Sequence, residues 1–309
     1  GAPAIADNDY IVYIDANGTV ICGRKTEGST KGALRMIAEK YSIIYEEGWN
    51  TQQFGRKVIE HLLNAKTSTA TKEEFLEKIR KDIKEFLDKN SNLFFNERDF
   101  QVNLSSFLKE QHYYDYVFLE YSLPASFIKN NEENEDEEVE EKIGDEANVR
   151  IDIVVEKSDQ FCPIELKYKT KLVEKEEDTI VRFGEEIEIG AELLKNQAAQ
   201  NINRYSFWKD VYRIEKIKRS FHPNVIAGFS IFVTNDESYK NTPKGASTPF
   251  TMEAGVQHSK ELEWERKEKV ADSTKNKYPK IELEKEYTIG KWYDVTIEGI
   301  GFHYCIVEV

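Results

Sequence analysis

Asp152, Glu165 and Lys167 are the side chains of this sequence whose types and spacing could do chemistry together. They lie in the stretch 148–170, NVRIDIVVEKSDQFCPIELKYKT. Val149, Ile151, Ile153 and Val155 alternate with Arg150, Asp152 and Val154, which predicts a strand. Residues 156–160 are polar and turn-forming. The next nine residues, 161–169, predict a second strand, with Cys162, Ile164, Leu166 and Tyr168 on one face and Glu165, Lys167 and Lys169 on the other. Such a hairpin presents Asp152 beside Glu165 and Lys167. Two carboxylates that close repel one another unless a cation sits between them, and hard oxygen ligands suit Mg2+. A Glu-x-Lys on one strand face is by itself more often a solvated edge. Asp152 is different, because it is an acid in a run that otherwise reads as buried. An unpaired buried carboxylate is costly and needs a partner or a metal.

The chain has 309 residues, of which 39% are hydrophobic and 12% aromatic, enough for a core in one large domain with an appendage. No apolar run approaches the roughly 20 residues of a membrane span, so no membrane partner is expected. Cys22, Cys162 and Cys305 are widely spaced. They suit neither a disulfide framework nor a zinc site, and a reducing cytoplasm is the expected location. The histidines, His61, His112, His222, His258 and His303, are dispersed and suggest no ligand set. The net charge of −14 argues against a protein that coats nucleic acid, but residues 131–147 hold ten acids against one lysine. That run has few apolar residues and reads as a solvated insertion between strands.

The elements that must position the three side chains follow from patterning. Tyr10–Gly23 reads as a hairpin turned at Asn17-Gly18. Helices follow from Ser29-Thr30 to about Tyr41 and from Asn50 or Thr51 onward, so residues 1–66 are expected to form a small α+β appendage. The polar stretch 64–71 is expected as a linker, and Thr71 with Glu74 as a capping box for a helix to Asn90. The larger domain then spans 71–309, with the acidic insertion at 131–147. Asn96 is expected to cap a helix over Glu97–Glu110, which places Glu97 in the first turn, where a carboxylate favours the positive end of the helix dipole. Tyr114–Leu123 predicts a strand ended by Pro124, and Glu188–Lys218 a long helical region. Val225–Thr234 predicts a central strand. Residues 235–253, rich in Pro, Gly, Thr and Ser, are expected as a long flexible loop, and the chain closes on a strand pair, Trp292–Ile297 and Phe302–Val309, joined at Glu298-Gly299-Ile300-Gly301. The order predicts an α/β domain with a mixed central sheet flanked by helices.

A helix carrying Glu97, a strand carrying Asp152, and Glu165-Leu166-Lys167 on the adjoining strand together resemble the PD-(D/E)XK nuclease superfamily, the restriction-endonuclease-like fold. The resemblance covers about residues 90–309. Asp152 follows Ile151 where the family pattern has Pro. The later helix with Gln197, Gln200, Arg204 and Tyr205 is similar to the helix that follows the core hairpin in many members, where a Gln faces the site. The resemblance implies Mg2+ or Mn2+ held by Asp152, Glu165 and the Leu166 carbonyl, with Glu97 binding through water or supporting a second ion. It implies that Lys167 orients water or stabilises the attacking and leaving oxygens, and that Gln197 positions water or a phosphate. The implied activity is Mg2+-dependent endonuclease cleavage of DNA, and many members pair as homodimers to cut two strands. The alternative is a nuclease-like module that binds nucleic acid or protein without cutting.

Lys209, Arg213 and Lys216, with Lys218 and Arg219 beyond them, are the expected phosphate contacts along one helix. A solvated helix face with basic residues toward its C-terminus explains the same pattern. A third role, an acidic adaptor working through residues 131–147, makes an opposite demand on the insertion. Excision of 131–147 is expected to leave DNA cleavage within about threefold of the intact chain, as for a surface loop. Loss of all function on excision would identify the acidic run as the working surface.

Overall fold

The structure, a computed structural model, describes residues 50–309 apart from 125–147, 175–178, 189–191, 195–196 and 198. Before residue 50 it describes residues 5–6, 10–14, 17, 19–24, 30–40 and 43. The acidic run 131–147 therefore lies outside the described residues. The chain divides into two compact units, Gly1–Phe75 and Leu76–Val309.

In the first unit β1 (Ile5–Ala6), β2 (Tyr10–Ile14) and β3 (Val20–Arg24) form an antiparallel sheet. The expected hairpin is present, with Ile14 opposite Val20. Helix α1 (Thr30–Lys40) buries Ala33, Leu34, Ile37 and Ala38 against Phe54 and Val58 of α2 (Thr51–Lys89). These are the stripes that a 3.6-residue period requires. The linker expected at 64–71 is not there. Helix α2 runs through it for 39 residues, and the unit boundary falls inside that helix rather than at 66–71. The stretch holds no Gly or Pro after Gly55, and single Ser and Thr residues lower helix propensity only by tenths of a kcal/mol.

The second unit begins its own elements with α3 (Glu97–Glu110), capped as expected by Asn96, whose Oδ1 accepts from the Asp99 N–H at 2.9 Å. Strands β4 (Tyr116–Pro124), β5 (Asn148–Lys157) and β6 (Gln160–Lys169) follow. After them come four short strands, β7 (Val173–Glu174), β8 (Thr179–Arg182), β9 (Glu185–Glu188) and β10 (Glu192–Leu194). Helix α4 starts only at Gln200 and ends at Ser220, so the helix expected from Glu188 is corrected over its first turns. The reason is that Glu192–Leu194 pair antiparallel with β7 as strand β10, and Ala199, just before the helix, sits at φ 71°, outside helical geometry.

Strand β11 (Phe229–Thr234) is wholly buried. The chain continues through β12 (Glu261–Leu262), α5 (Asp272–Lys277) and β13 (Ile281–Glu282) to the closing pair β14 (Tyr293–Ile297) and β15 (Ile300–Glu308). The main sheet has six strands in the order β14-β15-β11-β6-β5-β4. Only β6 and β11 are parallel, so the sheet is mixed, as expected. Helices flank it on both faces. Tyr168 packs with Phe94 and Phe100 on the α3 side, whereas Phe232, which lies beside Lys167, packs with Phe207 of α4. Adjacent residues of a strand point to opposite faces, so these are opposite layers.

Residues 235–253 are a packed excursion and not a flexible loop. Tyr239, Phe250 and Met252 are buried, and the indole N–H groups of Trp208 and Trp292 donate to the Thr251 and Met252 carbonyls. Large apolar side chains spaced through a polar segment anchored it, and turn-forming composition alone does not reveal that. Among the described residues no helix is long and apolar enough to cross a membrane.

Gly228 sets how closely α4 approaches the sheet. A Cβ there would run into Ile214 Cγ2 of α4 and stand 3.1 Å from the Pro163 carbonyl oxygen. Gly228→Ala is expected to destabilise the second unit by about 1–3 kcal/mol through overpacking. Urea unfolding checks this, with a lower midpoint at an unchanged m value.

Candidate active site

Strands β5 and β6 part company in the middle. Their ladder ends at Ile153 opposite Ile164. Beyond it β5 stays paired with β4 as far as Asn148, and β6 stays paired with β11 as far as Lys169. Side chains fill the wedge between them. Asp152 Oδ2 accepts the Leu166 N–H at 2.7 Å, and Glu97 Oε2, reaching across from the first turn of α3, accepts the Tyr168 N–H at 3.0 Å. Backbone N–H groups that would have faced a strand are thus satisfied by two carboxylates. Glu165 Oε2 in turn lies 3.4 Å from the Asp152 N–H.

The wedge is lined from one side by α4. Lys167 Nζ lies 2.6 Å from Asp210 Oδ2 and 3.3 Å from the Leu166 carbonyl oxygen, its hydrogen-bond acceptor. An Arg213 guanidinium nitrogen lies 3.1 Å from Glu165 Oε1 and donates to the Arg150 carbonyl at 2.7 Å. From α3, Gln101 donates to the Asp152 carbonyl at 2.6 Å and to Glu120 at 3.0 Å, and Arg98 pairs with Glu120 at 2.8 Å. Glu120 sits at φ 50° on the edge strand β4, a conformation that costs a non-glycine residue about 1 kcal/mol or more. These contacts hold the backbone beside Asp152.

The structure brings together Asp152, Glu165, Leu166 and Lys167, with Glu97 meeting β6 at Tyr168 and Lys169. Gln197 is elsewhere. It precedes α4 and clamps the end of β6, its N–H donating to the Thr170 carbonyl and its Oε1 accepting from the Thr170 N–H. Arg213, expected as an outward phosphate contact, is turned into the wedge, while Lys209 and Lys216 flank the Tyr212 ring at 4.3 and 5.2 Å. Asp210 was not singled out by its sequence context. Its position beside Phe207 and Val211 on the buried stripe of α4 was the available signal, since acids rarely lie there without a partner.

Burial pushes the Glu165 carboxyl well above its usual range, with Asp210 and Asp152 adding to the rise and Arg213 and Lys167 opposing it. Burial also raises Asp152, against the pull of Lys167 and the Leu166 N–H. For Lys167 burial alone would favour the neutral amine, but Asp210, Glu97 and Glu165 outweigh it and hold the ammonium charged. Lys167 is therefore a donor and a positive charge and not a proton acceptor.

Among the described residues no three His, Cys, Asp or Glu side chains converge as a metal-binding group. The donors in the wedge are two carboxylates and a carbonyl, hard oxygens of the kind a Mg2+ ion takes while keeping several waters. Glu165 Oε1 is buried and receives no aligned hydrogen bond, although the Arg213 charge is near it. That orphaned oxygen fits a cation. Comparison of the chain with family models, with curated proteins and with solved structures found no match.

A carboxyl with a raised native pKa binds its proton more tightly in the folded chain than in the unfolded one. It contributes stability below the ordinary carboxylate range of about 4, and this is lost as pH rises through the raised native value. Asp152→Asn keeps an oxygen for the Leu166 N–H and removes the half-buried charge. It is expected to raise Tm at neutral pH by on the order of 2 °C, measured by calorimetry in metal-free buffer. A fall in Tm would mark the carboxylate as a purely structural wedge filler.

Proposed function

We propose that the wedge is the active site of a Mg2+-dependent DNA endonuclease, as the resemblance to PD-(D/E)XK nucleases implies. The single observation that carries this reading is the meeting of buried Glu165 and half-buried Asp152, both with raised pKa, where the sheet splits. Packing alone gives no return for such a pair, since burying charge costs several kcal/mol.

Asp152, Glu165 and the Leu166 carbonyl would hold the Mg2+ or Mn2+ ion, with Glu97 in support. Such an ion, when bound, supplies hydroxide at neutral pH and offsets charge on the phosphate in the transition state. Lys167, kept protonated by Asp210, orients the attacking water or donates to the attacking and leaving oxygens. Gln101, through the Asp152 carbonyl, fixes where that strand stands. Lys209 and Lys216 on α4 are suited to backbone phosphates, with Tyr212 between them offering a ring face. Two copies acting together would cut both strands. The buried, unpaired thiols of Cys162 and Cys305 accord with a cytoplasmic setting.

A second reading, a nuclease-like module that binds without cutting, is favoured by one contact. Arg213 stands 3.1 Å from Glu165, so a side-chain cation already meets part of the charge that a metal would neutralise.

The two separate in a cleavage and binding series on plasmid and duplex DNA with Mg2+, Mn2+, Ca2+ and EDTA. The nuclease is expected to cut in Mg2+ or Mn2+, to bind more tightly in Ca2+ than in EDTA, and to lose at least about 100-fold in rate in Lys167→Ala. Binding indifferent to the cation, with no cutting in any metal, would sink the nuclease and leave the binding module.

A further inference from the structure

Arg213 occupies a position that the proposed reaction does not explain. It is three residues from Asp210 on α4, so both side chains leave the helix on the face that meets the sheet. One guanidinium nitrogen, Nη2, lies 3.1 Å from Glu165 Oε1 and donates to the Arg150 carbonyl at 2.7 Å. The other, Nη1, reaches Asp210 Oδ1 at 3.4 Å. Arginine–carboxylate pairs are frequently bidentate, with two guanidinium nitrogens on the oxygens of one acid. Here the fork is shared: Nη2 serves Glu165 Oε1 and the Arg150 carbonyl, and Nη1 serves Asp210, so no one acid takes both nitrogens.

The two partners also differ in freedom. The Glu165 side chain is 2% exposed and that of Arg213 21%. The acid is fixed in the strand, and the arginine is partly exposed and also bonded to the Arg150 carbonyl and to Asp210. A divalent ion and a guanidinium cannot both press against one carboxylate without strong mutual repulsion.

We propose that Arg213 is an exchangeable counter-cation: it holds the charge of Glu165 in the metal-free protein and gives up that carboxylate oxygen when a divalent ion binds at Asp152 and Glu165. Arg213 then sets the metal affinity of the site without being a metal ligand, and it spares the empty wedge an uncompensated acid pair. This rests on the metal-site reading given above.

The test is Mn2+ binding by the full chain, read by calorimetric titration and by the electron-spin signal of free Mn2+, with no DNA present. Arg213→Met is expected to bind Mn2+ roughly tenfold more tightly than the natural chain, because the competitor is gone. It is also expected to show a lower Tm in EDTA and a larger rise in Tm on adding Mn2+. Arg213→Lys, which keeps a charge with a shorter reach, should fall between them, and it carries the test should Arg213→Met fail to fold. Asp152→Ala is the control that must weaken binding in every background. Equal Mn2+ affinities in the natural chain and both Arg213 variants, with Asp152→Ala still weaker, would overturn the counter-cation while leaving the metal site standing. No Mn2+ binding by the natural chain or by any variant would overturn both.

Discussion

The parting of β5 from β6 is the constraint from which the rest of the second unit follows. Two adjacent strands that separate leave backbone N–H groups facing a gap, and buried donors must be met. Asp152 and Glu97 meet them at Leu166 and Tyr168. This fixes β5, β6 and the start of α3 relative to one another through charge-assisted hydrogen bonds, which are among the stronger polar contacts in proteins. It also concentrates negative charge at the place in the sheet where solvent is scarce.

Helix α4 answers that charge. Its approach depends on Gly228, whose missing side chain lets Ile214 lie against the sheet. The same helix then delivers Asp210 and Arg213 to the wedge. Acids and bases alternate through it: Glu165 faces Arg213, Lys167 faces Asp210, and Lys169 faces Glu97 at 3.1 Å. A network of this kind is a poor way to gain stability, because desolvation offsets most of the attraction. Its value lies in holding particular protonation states. Lys167 is kept charged by its acidic neighbours, while burial raises the carboxyls of Asp152 and Glu165 above their ordinary range.

The opposite face of the sheet is ordinary by comparison. Phe86, Phe94, Phe100 and Tyr168 cluster there, with Phe86 stacked on Phe94 and Tyr168 edge-on to it, and Tyr168 donates its hydroxyl to the Phe94 carbonyl. That aromatic layer holds α3 in place, and with it Glu97. Burial on one face thus supports precise placement of polar groups at the split edge, a division of labour that suits a binding or catalytic site.

Sequence by itself determined the parts that depend on local period and capping. The strands around Asp152 and Glu165, the Asn96 cap that puts Glu97 in a first turn and the buried β11 all follow from neighbours a few residues apart, whereas the expected connection at 298–301 closes to two residues, with Ile300 and Gly301 taken into β15. Asp152 and Glu165 fall together because a hairpin register is a local property. Gln197 and Arg213 do not follow, since their surroundings come from elements far along the chain. Gln197 lies ahead of α4, which starts only at Gln200 after β10 pairs with β7, and it is taken by Thr170. Arg213 is drawn inward by a carboxylate 48 positions earlier in the chain, where a helical wheel shows only one basic residue among several. Local geometry is written in residue spacing, but the partner of a long charged side chain is decided only when packing brings a distant acid within reach.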